Sequence, residues 1–448
     1  MESTLEKKYG LFTAIAMVIG IVIGSGVFFK AEKVLNATGG DLPLGILAWF
    51  IGGLIMVICA YVFATMATRY EKVNGIVDYA EVVVGRTYGY YIAWFLATIY
   101  YPTLTSVLAW VSARYTCVLF GLDIVGPEAM TISGFYLILS YALNALAPRL
   151  AGKFQVSTTI IKLIPLFCMA LVGTIAGLSN GVLVQNFTVG ATKTAVQNPL
   201  FTAVVATAFA YEGWIIATSI NAELKDAKKN LPKALTFGTA FVALIYILYY
   251  IGLAGAVDNS VMMKGGEAGA KIAFSSLFSQ MGGTILFVFV VISCLGTLNG
   301  LMMGCTRGFY AIAVRNMGPN VAVLKNVDKN TNMPTNASIV GLLLAGMWLL
   351  YFFGANLVAK PWFGWFSFDS SELPIVTIYM MYIPIFVLMI AKEKTLSTFK
   401  RFVMPSLAII ACLFMITAAC YAHGKAVLSY LVVFAVLMLV GKLLNFGK

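Results

Sequence analysis

Along this chain, apolar runs of membrane-spanning length alternate with short polar breaks. They fall at 11–30, 44–68, 88–119, 128–147, 155–178, 198–220, 234–257, 273–313, 336–354, 371–391, 402–421 and 426–444. A helix of about 20 mostly apolar residues crosses the hydrocarbon core and satisfies its own backbone N–H and C=O groups where no water can. The residue-by-residue alternation of a barrel strand is absent. The pattern predicts an all-α polytopic membrane protein of about twelve transmembrane helices. The largest breaks on the inner side, 221–233 and 314–335, are too short to bury a core of their own. The first run lacks a small-residue cleavage site and leads directly into further spans, so it is expected to be retained and not removed as a signal peptide.

Two of the runs are interrupted. The first carries Ile23-Gly24-Ser25-Gly26-Val27, and the sixth carries Phe209-Ala210-Tyr211-Glu212-Gly213-Trp214 at a similar depth. Matching interruptions in two halves point to a transporter built from two repeats, and an odd number of spans per repeat inverts the second one. The expected division is a core over 1–396, with one repeat over about 11–178 and another over about 198–391, followed by two additional helices in 397–448. Those last two are expected to be a packing or oligomer appendage without chemistry. Gly24 and Gly26 taken alone fit close helix packing equally well. The pairing of the breaks, with Glu212 a carboxylate that is costly on an intact lipid-facing helix, favours a site.

A broken helix offers free N–H groups where its second half begins and free carbonyls where its first half ends, so one break can hold a zwitterion. A substrate carboxylate is expected to meet the amides and hydroxyl of Ser25, Gly26 and Val27, with Gly24 and Gly26 allowing close approach. Its ammonium would meet the carbonyls of Val22, Ile23, Phe209 and Ala210, with Glu212 and Gly213 completing the second break. These groups recognise an α-amino acid, and Phe209 is a candidate gate over it.

Composition narrows the class. Of 448 residues, 60% are hydrophobic and 11% charged, too apolar a balance for ordinary soluble domains. The net charge of +12 could suggest a nucleic-acid binder. The cations instead concentrate in alternate inter-span segments, among them Lys7, Lys8, Arg69, Lys225, Lys228, Lys229, Lys233, Arg315, Lys392, Lys394, Lys400 and Arg401. That is the positive-inside bias of a multi-pass cell-membrane protein with both termini cytoplasmic, whose partner is the lipid bilayer and not nucleic acid. Seven cysteines lie in or at the ends of spans, where they act as small apolar residues, and no disulfide framework is implied. The lone histidine, His423, excludes a histidine-based metal site; with no HExxH or P-loop either, the chain is not an enzyme and needs no cofactor or metal.

At the two breaks the sequence resembles the L-type amino acid transporter branch of the amino acid–polyamine–organocation superfamily. Asn221-Ala222-Glu223-Leu224-Lys225, Asn230-Leu231-Pro232-Lys233-Ala234 and Ser293-Cys294-Leu295-Gly296-Thr297-Leu298-Asn299-Gly300 with Thr306-Arg307 extend the likeness over nearly the whole chain. The resemblance implies a LeuT-type fold, a 5+5 inverted repeat with helices 1 and 6 broken. It also implies sodium-independent antiport of small neutral L-amino acids of the alanine, serine and cysteine type by alternating access. Proton-coupled symport, or transport of a cationic amino acid or polyamine, are the alternatives. A cationic substrate needs a compensating carboxylate, and Glu212 is the obvious one available. Eukaryotic relatives carry an outer-loop cysteine that links a heavy chain; Gly121 to Ala129 contains none, so no disulfide-linked partner is expected.

Lys162 lies too deep in the fifth run to reach the interface easily, and should face protein or water. The resemblance places such a lysine where sodium-coupled relatives hold a cation, between the break of span one and span eight. Lys162, with Ser293, is therefore assigned a coupling or conformational role in which the ammonium tethers the carbonyls near Val22 and Ile23. Glu212 could hydrogen-bond the loose N–H groups of its break, pair with a cation or carry a proton; the resembled eukaryotic branch usually has a small residue there. Arg307, Glu223 and Lys225 read equally as inner-gate ion pairs or as membrane-surface charges. Asp369 and Glu372, beside Trp362, Phe363, Trp365 and Phe366, read as interfacial anchoring.

Overall fold

A computed structural model describes residues 6–71, 74–188 and 198–445. Among them, twelve helices are long and apolar enough to cross a membrane: Leu11–Phe28, Leu42–Ala67, Arg86–Phe120, Pro127–Leu146, Pro148–Ser179, Pro199–Glu223, Ala227–Ala256, Gly269–Ala313, Thr335–Leu357, Leu373–Lys392, Phe399–His423 and Ala426–Leu444. Spans five and seven begin about two turns before their apolar runs. Arg149 and Lys153, and Lys228, Lys229 and Lys233, form polar helical turns there that a count of apolar residues misses. Pro148 opens span five at a position where its missing N–H costs nothing. Span eight is not one straight helix. Ser279 has φ 64°, beside Phe278 at φ −120°, and this kink separates the first helical segment from the rest of the span.

The spans pack in pairs across the chain. Span two lies on span seven, three on eight and four on nine, while the two broken spans lie side by side. Small residues also bring span seven close to span five: a Cβ on Gly252 or Gly255 would strike the backbone of span five at Met169 or Gly173. Span three widens into a π-turn over Leu96–Tyr100, a local disruption common near functional sites, and this turn carries Tyr100 toward the core. Span eleven packs against spans two, six and ten, whereas span twelve has 17% of its apolar window buried and presents most of its surface outward.

Candidate functional site

In span one, the half-helices Leu11–Val22 and Gly26–Ala37 flank a break at Ile23–Ser25. In span six, Pro199–Ala210 ends at Tyr211, Gly213 takes a left-handed φ of 98°, and a short 3₁₀ stretch runs from Trp214 to Glu223. The breaks touch through their glycines. A Cβ on Gly26 would sit 2.5 Å from Ala210 Cα, and one on Gly213 would sit 2.6 Å from Ile21 Cγ2. Gly213 also needs glycine for its backbone angle.

Between the breaks is a cavity of about 20 Å³, roughly the space of one water. Of the residues expected at the site, Val22, Gly24, Ser25, Gly26, Phe209, Glu212 and Gly213 line it. Ile23, Val27 and Ala210 do not; Ala210 is held behind Gly26. Thr297 also lines it, and so do Ile21, Leu104, Leu108 and Leu301, which the sequence does not single out because an apolar residue facing a cavity looks like one facing lipid. Ser25 Oγ is buried and makes no hydrogen bond among the described residues.

Lys162 is fully buried. Its ammonium donates to Gly20 O at 2.6 Å, to Ile23 O at 2.5 Å and to Thr297 Oγ1 at 3.2 Å. Thr297 Oγ1 in turn lies 3.0 Å from both of those carbonyls, and Ser293 Oγ lies 3.4 Å from Ile23 O. The expectation that Ile23 O would accept a substrate ammonium is therefore corrected: a carbonyl has two lone pairs, and three donors already converge on this one. Val22 O, expected beside it in the Lys162 tether, instead receives the Tyr246 hydroxyl at 2.7 Å. Neither Thr297 nor Tyr246 carries a distinguishing signal in the sequence.

Glu212 occupies the other break. Its carboxyl accepts from the Tyr100 hydroxyl, and Tyr379 and Tyr382 flank the same group. Thus a cation faces the carbonyl end of one half-helix, and a carboxyl group sits where the next helical stretch begins.

The sequence pattern of the amino acid permease family matches residues 9–441. The chain belongs to that family. A serine/threonine exchanger, SteT of Bacillus subtilis, is 29% identical to this permease over 402 residues, covering 89% of this chain and 86% of that one. The human large neutral amino acids transporter small subunit 2 is 25% identical over 339 residues, which is 74% of this chain and 62% of that protein. MhsT, solved in complex with L-phenylalanine, shares the fold at a TM-score of 0.59 and 14% identity, over 96% of this chain and 99% of that one. The permease is thus a multi-pass amino acid transporter of the L-type branch with a LeuT-type fold, and not an enzyme.

Buried ion pairs also hold the ends of the permease's broken spans. On the side of the N-terminus, Glu223 Oε1 lies 2.5 Å from Arg307 Nε and Oε2 lies 2.6 Å from Lys8 Nζ. Lys8 and Tyr9 also donate backbone N–H bonds to Glu223 O, at 2.9 and 3.0 Å, so the N-terminal segment is stitched over span six. Of the two readings of these charges, the buried pair fits Glu223 and Arg307, while Lys225 is exposed. On the opposite side, Glu372 is not an interfacial anchor: it pairs with Lys30 and approaches His423. Burial pushes the Glu372 carboxyl up, but Lys30 and His423 outweigh it and hold the group below the ordinary carboxylate range. Adjacent aromatics had suggested anchoring, and the partners are too distant in sequence to be seen.

Proposed function

We propose that this permease exchanges small neutral L-amino acids, of the alanine, serine and cysteine type, across the cell membrane without sodium, with both termini cytoplasmic. The observation that carries the reading is the Lys162 ammonium among Gly20 O, Ile23 O and Thr297 Oγ1, an oxygen set suited to a monovalent cation and already filled by one. In this reading the carboxylate of the substrate binds at the start of the second half-helix of span one, on the Ser25 hydroxyl and the Gly26 and Val27 amides. Its ammonium turns toward the carbonyl end of the first half of span six, at Phe209 and Ala210, and Phe209 closes over it. Ile21, Leu104, Leu108 and Leu301 bound the cavity with apolar surface, which supports a small neutral side chain. The engagement of Glu212 with Tyr100 supports a structural role over a counter-ion role. The name of the Bacillus relative, a serine/threonine exchanger, agrees in substrate size and in mode. With no cysteine from Gly121 to Ala129, the permease works without a disulfide-linked heavy chain.

Reconstitution tests this. In sodium-free buffer at equal pH, labelled serine or alanine should enter vesicles loaded with unlabelled amino acid and not empty ones. Uptake into empty vesicles, or uptake that requires sodium, contradicts the reading.

A further inference from the structure

The face that the charge bias makes external holds a buried cluster that joins three spans. Lys30, 1% exposed on the second half of span one, pairs with Glu372 at the start of span ten. Its ammonium also lies 5.1 Å from the centre of the Phe209 ring, a cation–π contact onto a residue that lines the cavity. The second oxygen of Glu372 lies 3.0 Å from His423 Nε2, at the last position of span eleven. We propose that His423 is a positioning residue for the outer closure: through Glu372 it fixes Lys30, and through Lys30 the second half-helix of span one and the Phe209 ring, so that protonation of His423 from the external solution holds the outer path shut.

Charge balance supports this. The other charged groups are Asp369 ahead of span ten, which acts on His423, and Lys33 on the half-helix, which acts on Lys30 and Glu372 and is itself paired with Glu32. With a neutral imidazole, three carboxylates face two ammonium groups; a proton on His423 balances them. In this proposal opening draws the half-helix away from spans ten and eleven and exposes Glu372 to water, so the closed state is the one that gains from the proton. By linkage, acid on the outside then favours closure. Imidazole titrates in the range where external pH varies, and the side chain of His423 keeps 14% exposure at the outer end of its helix. Span eleven, outside the repeat, thereby acquires a role in the transport cycle.

The test is exchange in right-side-out vesicles with internal pH clamped. This readout rests on the exchange reading above. Wild type should slow about threefold or more as external pH falls from about 8 to about 5.5. His423→Gln should lose that dependence, and His423→Lys, a permanent cation, should be slow at both values, which keeps the test decisive if one variant folds poorly. A transport-free measurement separates the two claims: impermeant thiol labelling of Ser25→Cys from outside should slow in acid relative to the same cysteine in a His423→Gln background. That ratio cancels the pH dependence of the thiol itself. A His423→Gln variant that keeps the wild-type external profile, or a wild type with no external profile while exchange proceeds, overturns the proposal and leaves the exchange reading standing.

Discussion

The two breaks solve one problem with opposite charges. In span one the half-helix Leu11–Val22 ends in carbonyls, and the Lys162 ammonium with the Thr297 hydroxyl satisfies them. In span six a carboxyl, Glu212, stands beside Gly213 at the entry to the next helical stretch, held by Tyr100. Each arrangement matches the sign of the local helix dipole. They differ in what they hold. Lys162 reaches from span five to span one and so ties together two elements that alternating access would separate; Glu212 is bound from span three, at its π-turn. In the proposed function the first controls movement and the second maintains a shape.

That contrast can be broken at several places. The largest effect is expected where the breaks meet: Gly26→Val or Gly213→Val drives a side chain into Ala210 or Ile21, costing about 1–3 kcal/mol, and should abolish exchange while lowering the thermal midpoint. Next, Thr297→Val removes the hydroxyl shared by Gly20 O, Ile23 O and Lys162. It should slow exchange about tenfold, the equivalent of one hydrogen bond of about 1.4 kcal/mol, with little change in folded yield. Glu212→Gln keeps an acceptor for Tyr100 and should slow exchange only about threefold, with the shape of its pH profile unchanged. A reshaped profile would make Glu212 a proton carrier and dissolve the distinction between the breaks. Tyr246→Phe, which takes a hydroxyl from Val22 O where further donors are not needed for the tether, should have the smallest effect, about twofold.

Much of this was legible in the sequence. The spans follow from run length, because the bilayer imposes one dimension on every crossing helix. The breaks follow from glycine placed where an apolar helix should be uninterrupted, and Lys162 stands out because an ammonium at that depth requires a partner. What escaped was carried by ordinary residues. Thr297 and Tyr246 are common in membrane helices, and only the fold brings their hydroxyls to Ile23 O and Val22 O. Leu104 and Leu108 line the cavity with the same chemistry they would show to lipid. Glu372 and His423 sat among aromatic or terminal residues whose plain reading was anchoring or no role, and their meeting depends on spans ten and eleven packing together.

Sodium-free exchange by Lys162→Ala, at matched amounts of folded protein, tests the central claim most directly. The account predicts that exchange falls at least about tenfold while expression and thermal midpoint change little, because the tether between spans one and five is lost and the cavity lining is not. Normal sodium-free exchange by that variant would contradict the account, and would reduce Lys162 to a buried amine that happens to find carbonyls.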